Sequence, residues 1–301
     1  MPRHSPILLF ATLAALSAAR PSTAEPAQAL PPGAQVTIDE HPDTPGVQSW
    51  TVTSTYQHGS NKVEYLLPDP LAPGKRYPVV YCLPVNPGTK GNWGHPLEVA
   101  RAANLANRYG VILVCPAYDA LPWFGANPNN PEFRQSPYFT DIVIPLVEAR
   151  LPALAEPRGR FIIGFSKSAH GGLGIFLRDT ARFAKIAVFE NYWGRPTAEQ
   201  WAKWGFADCY GTRESYAQWD PQQLIDDHRK ELAGGPTRII VLTGGPKARL
   251  GVEALIGQLR DREIPIQTVA DDHWNHDWTC GWLPVAVQSL LQDFNMPAPA
   301  K

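Results

Sequence analysis

The segment FIIGFSKSAHGG, residues 161–172, carries the clearest chemical signal in the chain. An apolar run ends at Gly164, Ser166 follows two residues on, and a run of small, helix-compatible residues comes next. A serine at a sharp strand-to-helix turn can act as a nucleophile, because the turn lifts its hydroxyl clear of the sheet. Such a turn demands small residues two places to either side. Gly164 meets that demand, and Ser168 stands where a second glycine is usual. The Lys167 N–H would then face a developing oxyanion at the positive end of a helix. The plain alternative is that Ser166 or Ser168 only caps that helix.

A serine hydroxyl is too weak an acid to attack unaided and needs a base. The chain has eight histidines, and the segment DDHWNHDWTCGW places His273 and His276 after the last apolar run. His276, just ahead of a helix-like stretch, is the candidate base. A metal site built from Asp271, His273, His276 and Asp277 is a rival reading that lacks the helical H-E-x-x-H context. An orienting acid commonly follows the next-to-last strand, yet TRIIVLTGGPKARLG has no carboxylate before Glu253. One run earlier, KIAVFENYW puts Glu190 at a strand end. A carboxylate buried there without a partner would be costly, so Glu190 is expected to meet the histidine. Asp271 and Asp272 are the fallback. The order Ser166, Glu190, His276 is one that a serine–histidine–acid triad can take.

These residues need a scaffold that brings strand ends together. The runs YPVVYCLPV, GVILVCPAY, GRFIIGFS, AKIAVFEN, TRIIVLTGG and IPIQTVADD are apolar throughout, as strands buried on both faces are. Helical periodicity separates them in HPLEVARAANLANRY, YFTDIVIPLVEARL, GGLGIFLRDTARF, GVEALIGQLRDR and LPVAVQSLLQDF. The alternation implies an α/β fold with a mostly parallel, doubly wound sheet. Ahead of it, SWTVTSTYQ and KVEYLLPD predict an N-terminal antiparallel hairpin. Residues 192–236 break the alternation and are expected to form an excursion over the active-site edge.

The chain begins with a basic start, a short apolar run and small residues up to Ala24, which reads as a signal peptide over 1–24. Residues 25–47 read as a flexible leader and 48–297 as a single catalytic domain, in a secreted or periplasmic protein. No later run is long enough for stable membrane insertion of the mature chain. A net charge of −1 with no basic cluster argues against a nucleic-acid partner. The four cysteines lack zinc spacing, and in an oxidising compartment Cys209 and Cys280, beside loop-like segments, form the preferred disulfide pair.

With these features in place, the chain resembles the α/β-hydrolase superfamily, and within it the branch of esterase D-like and feruloyl esterase-like enzymes. The resemblance runs over about residues 45–295, through YPVVYCLPVNPG, GFSKSAHGGLGIFLRDTARFAKIAVFENYW and HDWTCGW. It is closest to bacterial hydrolases whose elbow reads G-F-S-K-S-G. In those relatives an aspartate usually stands where this chain has Glu190, and Gly-Trp-Gly stands where it has Ala169-His170-Gly171. The resemblance implies an α/β-hydrolase fold and a carboxylic ester hydrolase that works through an acyl-enzyme, with no metal or cofactor. The second oxyanion donor should come from LPVNPGTKGNWG. Pro84 has no N–H to give, which leaves Val85 or Asn86. Trp123, Trp193 and Trp278 are candidate substrate platforms, and Arg134 is a candidate carboxylate contact. The expected partner is a small-molecule or carbohydrate ester. Two rivals share these residues: a non-catalytic binding protein on a hydrolase scaffold, and an acyltransferase using the same triad.

Overall fold

Six apolar runs become the parallel part of one nine-stranded sheet. The computed structural model describes residues 32–38, 44–245 and 249–294; the signal-peptide reading for 1–24 lies outside them. The strands are β1 (Ala34–Ile38), β2 (Gln48–Ser54), β3 (Gln57–Leu66), β4 (Val79–Cys82), β5 (Ile112–Pro116), β6 (Arg160–Phe165), β7 (Lys185–Phe189), β8 (Ile239–Thr243) and β9 (Ile266–Ala270). Their spatial order is β1-β2-β3-β5-β4-β6-β7-β8-β9. The first three pair antiparallel and join β5 antiparallel, and from β5 to β9 every pairing is parallel.

Strands β4, β5, β7 and β8 are apolar in both phases because both faces are covered. Val79 and Tyr81 enter one core and Val80 and Cys82 the other. The helix Lys167–Arg178 contributes Leu173 and Phe176 to the first core, while Trp282–Leu291 contributes Leu283, Val287 and Leu290 to the second. β9 differs: it lies at the sheet edge and its residues are half-buried or exposed. Its apolar run therefore marks a strand but not a double-faced burial.

Three local expectations are corrected. The leader 25–47 contains β1, whose AQVTI alternation pairs residue by residue with β2 and extends the hairpin to three strands. The single helix expected over HPLEVARAANLANRY is two, Pro96–Ala102 and Leu105–Tyr109, broken where Asn104 turns left-handed at φ 52°. Asparagine tolerates that conformation better than most residues. The helix over YFTDIVIPLVEARL opens into a π-turn at Tyr138–Val143 before Ile144–Arg150, next to Pro145, which has no N–H for the ladder.

The excursion folds as five short helices, Ala198–Lys203, Phe206–Tyr210, Arg213–Ala217, Pro221–Asp227 and Arg229–Ala233. It has a separate aromatic core built from Trp123, Phe206, Cys209, Tyr210 and Tyr216.

Candidate active site

Ser166 sits between β6 and the helix Lys167–Arg178 with φ 55° and ψ −115°, a conformation that L-residues rarely adopt. Two contacts over-determine it. The Ser166 N–H donates to Phe189 O across to β7 at 2.9 Å, and its carbonyl accepts from Tyr192 N–H at 3.5 Å. Gly164 is obligatory for space: a Cβ there would lie 2.5 Å from Ser168 O and 2.6 Å from Ala169 Cα.

Ser168, the departure from a strict glycine, is fully used. Its buried hydroxyl accepts from Phe165 N–H at 2.9 Å and can donate to Leu83 O at 2.8 Å or Phe165 O at 2.9 Å. It therefore fastens the end of β6 to the residue after β4, where the segment with the candidate oxyanion donors begins. The Lys167, Val85 and Asn86 N–H groups donate to no acceptor among the described residues. Burial lowers the Lys167 ammonium below its ordinary pKa.

Glu190 follows β7 directly, in a left-handed turn at φ 46°. It is buried, and its Oε2 accepts from His276 Nδ1 at 2.6 Å. That bond places the proton on Nδ1 and leaves Nε2 with a free lone pair, the form a general base requires. The His276 ring is held between two aromatics. The Phe165 ring lies 4.5 Å from it, and Trp93 meets it edge-on at 4.8 Å. Phe165 is the neighbour of Ser166, so serine and histidine share one edge of the sheet. The Ser166 hydroxyl makes no hydrogen bond to a described residue, an open contact of the sort that closes on substrate.

The missing acid after β8 has a steric explanation. A Cβ on Gly244 would lie 2.4 Å from Trp274 O and 2.7 Å from Glu190 Oε1. The carboxylate of Glu190 occupies the space that a side chain at 244 would fill. Beside the pair opens a cavity of about 680 Å3, bordered by Glu190, His276, Tyr192, Trp193, Trp274 and Asn275.

Several residues read from sequence do not gather here. Asp271 pairs with His273 at 2.9 Å, and Asp277 caps the turn Trp278–Cys280 through Thr279 N–H. The four proposed metal ligands are thus engaged separately, and among the described residues no group of three or more His, Cys, Asp or Glu could hold a metal ion. Asp272 borders the cavity.

Trp123 and Trp278 are not platforms: they are 1% and 2% exposed. Trp123 stacks on Phe206 and donates to Trp204 O, and Trp278 packs on Trp282 and Phe165. The Arg134 guanidinium lies over Tyr56 at the hairpin turn. The Cys209–Cys280 bridge is not formed. All four cysteines are free thiols; Cys209 is buried in the aromatic cluster, accepting from Gly125 N–H, and Cys280 donates to Asn275 O and Asp277 O. Of the tryptophans proposed, Trp193 alone borders the cavity. The exposed aromatics near the site are Trp93 at 37%, against His276, and Trp204 at 41%, against Tyr192. A tryptophan in the glycine-rich, loop-like stretch KGNWGHP was the available signal for the first.

A family model described as "Putative esterase" matches residues 54–283, well over half of the chain. The chain belongs to this esterase family. No curated protein matches it. Among solved structures, an S-formylglutathione hydrolase from Agrobacterium tumefaciens is similar at a TM-score of 0.67 and 16% identity, covering 86% of this chain and 99% of that one. A ferulic acid esterase is similar at 0.61 and 17%, covering 86% and 96%. The fluorophosphonate-binding serine hydrolase F of Staphylococcus aureus is similar at 0.65 and 15%, covering 82% and 98%. The fold is that of the α/β-hydrolases, and in this esterase-family chain the antiparallel first strands take their place within it.

Proposed function

We propose that this esterase-family protein is an exported serine hydrolase of carboxylic esters. Ser166 is the nucleophile, His276 the base and Glu190 the orienting acid. The observation that carries the reading is the 2.6 Å His276–Glu190 bond beside a strained serine turn.

Ser166 Oγ attacks the ester carbonyl carbon while His276 Nε2 takes its proton. The oxyanion accepts from Lys167 N–H and from Val85 or Asn86 N–H. Collapse breaks the bond to the alcohol, which leaves with the proton from Nε2 and gives the acyl-enzyme. Water then attacks that ester, His276 again moves the proton, and the carboxylic acid departs. Glu190 keeps Nδ1–H in place and stabilises the imidazolium. The exposed faces of Trp93 and Trp204, with Trp193 in the cavity, suit a small-molecule or carbohydrate ester. Among the described residues no helix is long and apolar enough to cross a membrane. Export rests on the sequence of residues 1–24.

The test is hydrolysis of p-nitrophenyl acetate and butyrate by the mature protein beside Ser166→Ala and Glu190→Gln. Both variants should lose about three orders of magnitude or more in kcat. A wild type that merely equals Ser166→Ala and resists a fluorophosphonate would instead be a binding protein on a hydrolase scaffold.

A further inference from the structure

A second carboxylate–histidine pair lies buried near the first. Glu64 on β3 and His95 are both fully buried, and His95 Nε2 lies 2.8 Å from Glu64 Oε2. The other ring nitrogen, Nδ1, accepts from Leu97 N–H at 3.1 Å and Glu98 N–H at 3.2 Å, capping the helix Pro96–Ala102. A nitrogen that accepts cannot carry the proton, so Nε2–H donates to the carboxylate and the imidazole is neutral. Both ring nitrogens are spent, and neither can serve a substrate.

The position of His95 in the chain gives the pair its purpose. Gly94 is left-handed at φ 80°, and a Cβ there would lie 3.1 Å from Thr279 and 3.5 Å from Asp277 Oδ1. Trp93 O accepts from Trp278 N–H at 2.9 Å. The corner Trp93-Gly94-His95 is therefore pressed onto the segment that follows His276, and the Trp93 ring braces His276 itself. On the other side Gly94 N–H donates to Gly91 O, and Gly91 lies against the Asn86 side chain. One corner thus touches the base and, through Gly91, the segment with the oxyanion donors.

We infer that Glu64 and His95 are positioning residues for the reaction, anchoring the Trp93 corner so that His276 and the Val85–Asn86 segment are held in register with Ser166. The inference rests on the triad reading above. Its mechanism is orientation: a displacement of about 1 Å at a reacting group costs about 100-fold in rate. The cap explains only half of His95. A serine or asparagine would cap this helix as well, whereas only a side chain with a second, more distant nitrogen can also reach Glu64.

The experiment separates the number of competent sites from the speed of each. Wild type, His95→Asn, Glu64→Gln and Trp93→Ala are titrated with a fluorophosphonate, and kcat and KM for p-nitrophenyl butyrate are expressed per labelled site. His95→Asn keeps the cap but cannot reach Glu64. It should label fully, with kcat down at least about 10-fold and KM within about twofold. Glu64→Gln retains an acceptor for Nε2–H and should stay within about threefold of wild type. Trp93→Ala leaves the buried pair alone and does not threaten the fold, and it should show the same kcat-weighted loss, at about fivefold or more. A wild-type kcat per site in Trp93→Ala overturns the inference whatever the buried variants do. So does a His95→Asn enzyme that loses only labelled sites or thermal stability while each remaining site runs at full speed. If wild type neither labels nor exceeds Ser166→Ala, the triad reading itself fails.

Discussion

Glu190–His276 and Glu64–His95 use the same two side chains at nearly the same distance, 2.6 and 2.8 Å, and do opposite things. The histidine of the first pair is 38% exposed and keeps one nitrogen free, while that of the second is fully buried with both nitrogens engaged. The acid–histidine bond is therefore no mark of catalysis by itself. What the imidazole's other nitrogen meets separates the proposed roles: no hydrogen-bond partner among the described residues in one case, a helix N-terminus in the other.

The contrast can be pressed from several sides. The largest effect belongs to the open pair. His276→Ala should lower kcat for p-nitrophenyl esters by about 10,000-fold or more, and the thermal midpoint should fall as well because Glu190 is left buried without its partner. The closed pair should answer mainly in stability, with the far smaller kcat loss of about 10-fold inferred above. His95→Ala strips the cap and leaves Glu64 buried without its histidine partner, and urea unfolding should show a loss of about 3–5 kcal/mol. If the two variants traded these signatures, the assignment of roles would be wrong.

A third histidine sharpens the comparison, because it has burial without a carboxylate. His170 is enclosed by Trp123, Tyr192, Phe206 and Tyr216, and its Nδ1 meets Tyr192 O at 3.3 Å. Burial pushes its pKa from 6.5 down to about 4. The folded state therefore binds the proton less readily than the unfolded chain. Its contribution to stability is complete above about pH 6.5 and is lost as pH falls from there through about 4. The total is about 3 kcal/mol. Urea midpoints at pH 7 and pH 4.5 should diverge in wild type and less so in His170→Gln. At Glu64 desolvation by burial pushes the pKa up, but the hydrogen bonds from His95, Thr89 and Thr44 outweigh it and hold the carboxyl below its ordinary value.

Much of this was written along the chain. Strands β4 to β8 announce themselves because burial on both faces leaves no polar phase, and Ser166 is marked by the small residues its turn requires. Glu190 could be reached by elimination, since the run after β8 offers glycines and no acid. Other features depend on facts that spacing does not encode. Which tryptophans are buried follows from tertiary packing, Trp123 against the excursion and Trp278 against Trp282 and Phe165, so both read like Trp93 until their surroundings are known. Glu64 and His95 lie 31 residues apart on unrelated elements, and no periodicity links them. Strand β1 hides in a proline- and alanine-rich stretch because an edge strand needs only weak alternation. Cys209 and Cys280 looked pairable from their loop-like flanks, but Cys209 belongs to the interior of the excursion.

The clearance around Gly244 also bears on ancestry. A carboxylate cannot be added at 244 while Glu190 Oε1 fills the space, and Glu190 cannot be lost first without taking the acid away. The Trp274 carbonyl, 2.4 Å from the same Cβ, is backbone and stays whatever stands at 190, so losing Glu190 does not by itself open 244 to an acid. On the proposed triad, the two addresses for the acid, after β7 and after β8, are therefore more than one exchange apart, and a lineage that adopts one is held there. Glu190→Gly with Gly244→Asp, assayed against both single variants, tests this directly; the double variant should run no faster than Glu190→Gly, because the Trp274 carbonyl still closes position 244.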